Sequence, residues 1–247
     1  QYKILPPDKP VVGVVGKEAI LPCQLQVHVI PERLSVRWTF ARSSGTVPVA
    51  AYDGRNGHHL ASESESYQGR TGFFQAEFSQ GNLSLHLKPV LLSDSGQYVC
   101  SVAFASWYDE VVVDLDVGAK GDEVSLSLDG HQDQGVALSC KSQGWFPAPE
   151  VVWLDSEGQA RKEKAATRTT RAPSGLFTVV TSMTLGPGSD KEVSCRVTNH
   201  LLNTRSESRV LISGAFFPST SPWMTATLVL LFLSAALGAA LGYQLKR

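Results

Sequence analysis

Charge is scarce in this chain of 247 residues. Asp, Glu, Lys and Arg make up 18% of it, against about a quarter in an ordinary domain. The 22 Lys+Arg and 23 Asp+Glu leave a net charge of −1, so the basic stripe that nucleic acid requires is missing. Cysteine is scarcer still, with four in all and none in a C-x-x-C pair, so no zinc site begins. His58 and His59 are adjacent, and neighbours on an extended chain point oppositely, which makes a poor chelate. No nucleophile elbow, metalloprotease pattern or other catalytic constellation occurs, and no cofactor is implied.

The missing charge is concentrated at one end. From Trp223 to Leu245 no charged residue appears, and at about 1.5 Å rise per residue a helix of that length crosses a bilayer. Lys246 and Arg247 follow, which places the tail (246–247) in the cytoplasm and all that precedes the span outside. That topology calls for a secretory leader, expected to have been removed before Gln1. Gly238 and Gly242 form a G-x-x-x-G pair that would let two such helices approach closely. With no charge inside the span, pairing with charged signalling adaptors is not expected.

What is present is a spacing. Cys23 and Cys100 stand 77 residues apart and Cys140 and Cys195 stand 55 apart. Trp38 follows the first cysteine of one pair, and Trp153 follows that of the other. Four cysteines allow three pairings, and the tryptophan placement favours Cys23–Cys100 with Cys140–Cys195. This is the pattern of a two-sheet immunoglobulin sandwich written twice, the longer gap leaving room for the extra strands of a variable-type domain. The expected architecture is all-β: two tandem immunoglobulin sandwiches, variable-type (1–117) then constant-type (122–213), followed by a single transmembrane α-helix (223–245). A short linker (118–121) with modest freedom to bend joins the sandwiches. A stalk (214–222) whose Phe216 and Phe217, with Trp223, suit a membrane interface precedes the helix.

Alternation places the strands. Ala19, Leu21 and Cys23 share one face, and Leu83, Leu85 and Leu87 alternate with Ser84, His86 and Lys88. A hairpin is expected between Gly72–Phe78 and Leu83–Leu87. Tyr98, two residues before Cys100, has the position of a tyrosine corner, and Asp94 is placed to pair with Arg70. In the second unit the Phe146–Pro147 bond is expected to be cis. Asn82-Leu83-Ser84 is an N-glycosylation sequon at an exposed turn.

The run Gly144-Trp145-Phe146-Pro147-Ala148-Pro149-Glu150-Val151-Val152-Trp153 resembles the second domain of butyrophilins and butyrophilin-like proteins. So do Cys195-Arg196-Val197-Thr198-Asn199-His200-Leu201-Leu202 and Phe216-Phe217-Pro218. In the first domain, Gly69-Arg70-Thr71, Gly81-Asn82-Leu83-Ser84-Leu85 and Asp94-Ser95-Gly96-Gln97-Tyr98-Val99-Cys100 resemble the same family. The resemblance implies a surface protein that regulates T cells by engaging a lymphocyte surface receptor, for several members the γδ T-cell receptor. It also implies homo- or hetero-oligomers with butyrophilin-like chains. Cell adhesion by homophilic or heterophilic contact is the alternative function.

The resemblance and the alternation together place the partner surface on the sheet of strands C, C′, F and G. Arg37 and Thr39 flank inward Trp38, and Gln97, Val99 and Ser101 flank Tyr98 and Cys100, so all five face outward. Tyr52 is placed on this face by analogy. Trp107 and Tyr108 are expected at the tip of a loop over 104–110, where exposed aromatics suit a binding hot spot; the alternative is that Trp107 folds back over the sandwich end.

Overall fold

A computed structural model describes residues 2–26, 33–54, 58–59, 64–132, 135–217 and 222–246. The chain forms two all-β sandwiches in succession. In the first, β1 (Lys3–Leu5) pairs with β4 (Gln24–Gln26). β2 (Val11–Val14), β5 (Ser35–Arg42), β6 (Gly45–Asp53), β7 (His58–His59), β10 (Gly96–Phe104) and β11 (Trp107–Gly118) make a sheet in the order β2-β11-β10-β5-β6-β7. Against it lies a sheet of order β3-β9-β8, with β3 at Ala19–Leu21, β8 at Thr71–Phe73 and β9 at Leu85–Leu87.

The two sheets are joined through the middle. Cys23 is bonded to Cys100, and Cys100 is the cross-strand partner of Trp38. The Trp38 indole N–H donates to the Leu83 carbonyl of the facing sheet at 3.2 Å, so a buried polar atom is satisfied while the ring fills the core. Leu21, Leu83, Leu85, Leu87 and Val113 are fully buried around it. At the base, Arg70 donates twice to the buried Asp94 carboxylate, at 2.7 and 3.0 Å, and lies over the Tyr67 ring. That carboxylate holds the guanidinium pKa above its ordinary value. The Tyr98 hydroxyl donates to the Asp94 carbonyl at 3.0 Å and contacts the Tyr67 hydroxyl, completing the expected corner. Burial pushes both phenols above the ordinary tyrosine range.

The expected hairpin after Gly72 takes another form. Only Thr71–Phe73 is extended there, and Gln75–Gln80 winds into a 3₁₀ turn that inserts Phe78 beneath the sandwich. Gly81 ends the turn at φ 79°, where a Cβ would lie 2.1 Å from the Leu25 carbonyl, so only glycine fits.

The second sandwich packs a sheet of order β12-β13-β16-β15 on one of order β14-β17-β18. These are Ser125–Gln132 (β12), Gly135–Trp145 (β13), Ala165–Arg171 (β15), Phe177–Leu185 (β16), Glu150–Leu154 (β14), Glu192–Asn199 (β17) and Thr204–Leu211 (β18). Cys140 is bonded to Cys195, the ladder partner of Trp153. Thr181 is polar yet buried, because it accepts from the Trp153 indole at 3.0 Å and from Thr167 at 2.9 Å. Phe146–Pro147 is cis, matching the expectation; Lys88–Pro89 is also cis. Hydrogen bonds from Ser156 and from the Glu192 amide pull the exposed Asp190 carboxyl down to about 2.

The join between the sandwiches is tied more closely than a short linker implies. Ala119 and Phe146 exchange backbone hydrogen bonds of 2.8 and 3.1 Å. The buried Asn199 amide donates to both of their carbonyls, at 3.2 and 2.7 Å, and its oxygen accepts from the Leu202 amide. Leu202 packs on Gly118 so closely that a Cβ there would lie 2.7 Å from its side chain. Phe217, expected at a membrane interface, instead packs against the second core, whereas Phe216 and Trp223 are exposed.

Pro222–Lys246 is α-helical. Among the described residues no helix is long and apolar enough to cross a membrane. Gly238 has open space around it, and the surroundings of Gly242 lie outside the described residues.

Asn199→Ala is expected to remove the second donor to the Ala119 and Phe146 carbonyls and to leave the Leu202 amide without its acceptor. The cost is about 1–3 kcal/mol of stability, read by denaturant unfolding. X-ray scattering should show a wider spread of interdomain angles than in the parent protein.

Candidate partner-binding face

The outward side of the six-stranded sheet is built by the pleat. Trp38, Phe40, Tyr98, Cys100 and Val102 point into the core, so alternate residues of β5 and β10 point out. The ladder sets Ala51, Arg37, Ser101 and Glu110 in one rung, and Thr39, Val99 and Val112 in the next. Ser35 lies between Asp53 and Ala103 in a third rung, which ends at Tyr108, and Gln97 pairs with Asp114. Arg37, Thr39, Gln97, Val99 and Ser101 are thus brought together on one surface.

Two residues fall elsewhere. Tyr52 is the ladder partner of inward-facing Val36. Its ring packs edge-on against Phe78 at 4.7 Å and Phe73 at 6.5 Å. The analogy that placed Tyr52 on the outer face fails because β6 carries a bulge opposite Trp38 and Thr39, which changes the phase of its alternation.

Trp107 is not at a loop tip. Strands β10 and β11 run up to a two-residue turn, Ala105-Ser106, with Phe104 paired to Trp107 and Ala105 at φ 49°. Trp107 stacks on Phe104 at 4.8 Å and leans on Tyr2 at 5.8 Å, so it is half-buried against the first core. Tyr108, on the opposite side of the strand, is 61% exposed and donates to the Glu110 carboxylate. The turn escaped detection because it has no glycine or asparagine at its positive-φ position, the residues by which such turns announce themselves.

Sequence reasoning also passed over Glu110 and Val112. Their signal was present as period-two alternation with the buried Val111, Val113 and Leu115. Val112 is 49% exposed and, with Val99 and Tyr108, supplies the apolar part of the face.

Beside this patch lies a cavity of about 500 Å³, lined among others by Arg33, Ser35, Arg37, Asp53, Ser101 and Tyr108. Asp53 is the only carboxylate in the described lining. Among the described residues neither Arg33 nor Arg37 has a carboxylate within salt-bridge distance.

Asn82 lies away from this face, just after the 3₁₀ turn and next to the smaller sheet. Its side-chain nitrogen donates to Glu77 at 2.5 Å, and its oxygen accepts from the Ser84 amide at 3.1 Å. Ser84 is buried, and its hydroxyl accepts from the Cys23 amide. The side chains of His58 and His59 lie outside the described residues.

Comparison with known proteins follows the same division. The model of the immunoglobulin V-set domain matches residues 7–117, and that of the butyrophilin subfamily 3 member A2-like Ig-C domain matches residues 121–207. Human butyrophilin subfamily 1 member A1 is 32% identical over 234 residues, which is 94% of this chain and 43% of that protein. The chain spans less than half the length of the curated relatives it matches. The crystal structure of bovine butyrophilin aligns with a TM-score of 0.76 at 29% identity, over 86% of this chain and 99% of that one. A chain from the crystal structure of ICOS in complex with ICOS-L and an anti ICOS-L VNAR domain aligns at 0.66 with 21% identity. That match covers 83% of this chain and 100% of the other, a likeness of fold alone.

The two aromatics of β11 are expected to separate on mutation. Trp107→Ala removes a half-buried stacked ring and should cost about 1–3 kcal/mol of stability. Tyr108→Ala removes an exposed one and should leave the melting temperature within a degree or so of the parent, as surface changes do. Differential scanning calorimetry of the two variants checks this.

Proposed function

The chain belongs to the butyrophilin family, and on that premise we propose that it is a cell-surface ligand, or one subunit of a ligand, that regulates T cells. The observation that carries the reading is the outward side of the six-stranded sheet. Exposed Val112 and half-buried Val99 form an apolar spot beside Thr39, exposed Tyr108 stands two rungs away, and Arg37, Ser101 and Glu110 make the polar rung between them. Exposed aromatic and apolar side chains interleaved with an arginine have the composition of a protein-binding surface. The γδ T-cell receptor is the partner class the family suggests, and a second butyrophilin-like chain is the assembly partner.

The rest of the chain serves presentation. The units run over 1–117 and 122–213, the second acting as spacer and assembly surface. Trp223–Leu245 is the single membrane span, with the N-terminus outside at the plasma membrane; its support is the uncharged run followed by Lys246 and Arg247. Gly238 and Gly242 give that helix a face on which to pair. A glycan on Asn82 is directed away from the binding face. Attachment before folding leaves Glu77 to find water in place of the asparagine amide.

Cells displaying the chain are expected to activate reporter cells bearing γδ T-cell receptors, and Val112→Arg should abolish the response without lowering surface display. An unchanged response to Val112→Arg would remove the face from the reading. Aggregation of the displaying cells with one another, in place of activation, would mark an adhesion protein. Glycosidase treatment should lower the mass of the parent chain and leave Asn82→Gln unchanged; equal shifts in both would place the glycan elsewhere.

A further inference from the structure

The cavity beside the apolar patch has a polarity of its own. Arg37 projects from the middle of β5, between Ala51 and Ser101 in its rung. Arg33 stands just before the strand at φ 66°, which turns the chain back so that both arginines line the same cavity. Against these two guanidinium groups the described lining offers one carboxylate, Asp53, which already has an interaction of its own. Glu110, another acid of the described face, lies in the same rung as Arg37 but beyond Ser101. It accepts from Tyr108. Among the described residues the cavity therefore has more positive than negative charge, and its forked donor set has no carboxylate paired to it.

A guanidinium presents parallel N–H donors that match the two oxygens of a carboxylate. The walls also include Tyr108, whose ring would cover such a pair from water and strengthen it. We propose that this cavity takes the carboxylate of an Asp or Glu side chain from the protein partner seated on the face, with Arg37 as the principal donor and Arg33 as the second. The assignment rests on the partner-face reading above and adds its anchor: the partner bears a protruding acidic residue beside an apolar patch that covers Val99 and Val112.

The test uses cells displaying the full chain, with peripheral-blood T lymphocytes as the probe and attachment as the readout. Arg37→Glu should reduce attachment at least tenfold and Arg33→Glu several-fold, at equal surface display. Arg37→Lys, which keeps the charge but loses the fork, should fall between parent and Arg37→Glu. Should Arg37→Glu display poorly, Arg37→Gln serves in its place, with a loss of about tenfold expected. Attachment that survives the Arg37 variants but is lost with Val112→Arg overturns the acidic anchor and leaves the face reading standing. Attachment indifferent to all of these variants overturns both. Sialidase treatment of the lymphocytes should change nothing; loss of attachment after that treatment overturns the proposal, because the carboxylate would then belong to a glycan.

Discussion

The phase of the pleat at Cys100 and Trp38 governs the first sandwich. These two residues face each other across the ladder, and both must point inward, one to reach Cys23 and the other to donate to Leu83. Once they do, Arg37, Thr39, Val99 and Ser101 have no choice but to point out, because side chains alternate with a strict period of two. A slip of one residue would bury Arg37 and expose Trp38. The same bond that closes the core therefore decides which side chains compose the outer face of the sheet. Cys195 and Trp153 repeat the arrangement in the second sandwich.

A composed surface is useful only if it is held in a defined direction. Asn199 gathers the backbone of Ala119, Phe146 and Leu202 at the join, and Gly118 and Gly121 admit Leu202 and Trp145 at distances no larger residue would allow. The join is an ordered, hydrogen-bonded elbow, and ordering of this kind reduces the freedom lost when a partner binds.

Much of this was legible along the chain. Cysteine and tryptophan spacing, the tyrosine before Cys100, the Arg70–Asp94 pair and the outward residues of β5 and β10 all follow from local pattern, since each depends on chain separation or on alternation within one strand. The misreadings share a cause. Tyr52 depends on a bulge, which adds a residue without any compositional mark. Trp107 depends on a tight turn made by Ala105 without glycine. The 3₁₀ turn over Gln75–Gln80 depends on Phe78 finding room beneath Tyr52 and Phe73. In each case the deciding contact comes from another strand.

The order of residues, taken alone, determined that the chain folds into two disulfide-closed β-sandwiches of the butyrophilin kind, and which side chains of the central strands reach solvent. Periodicity and covalent pairing are properties of the chain itself and survive without coordinates. The tertiary structure decided the rest: that Tyr52 turns in, that Trp107 lies stacked on Phe104 while Tyr108 stands free, and that Arg33 and Arg37 share one cavity. Those outcomes depend on which elements meet and at what register, and that is settled by packing between segments far apart in sequence.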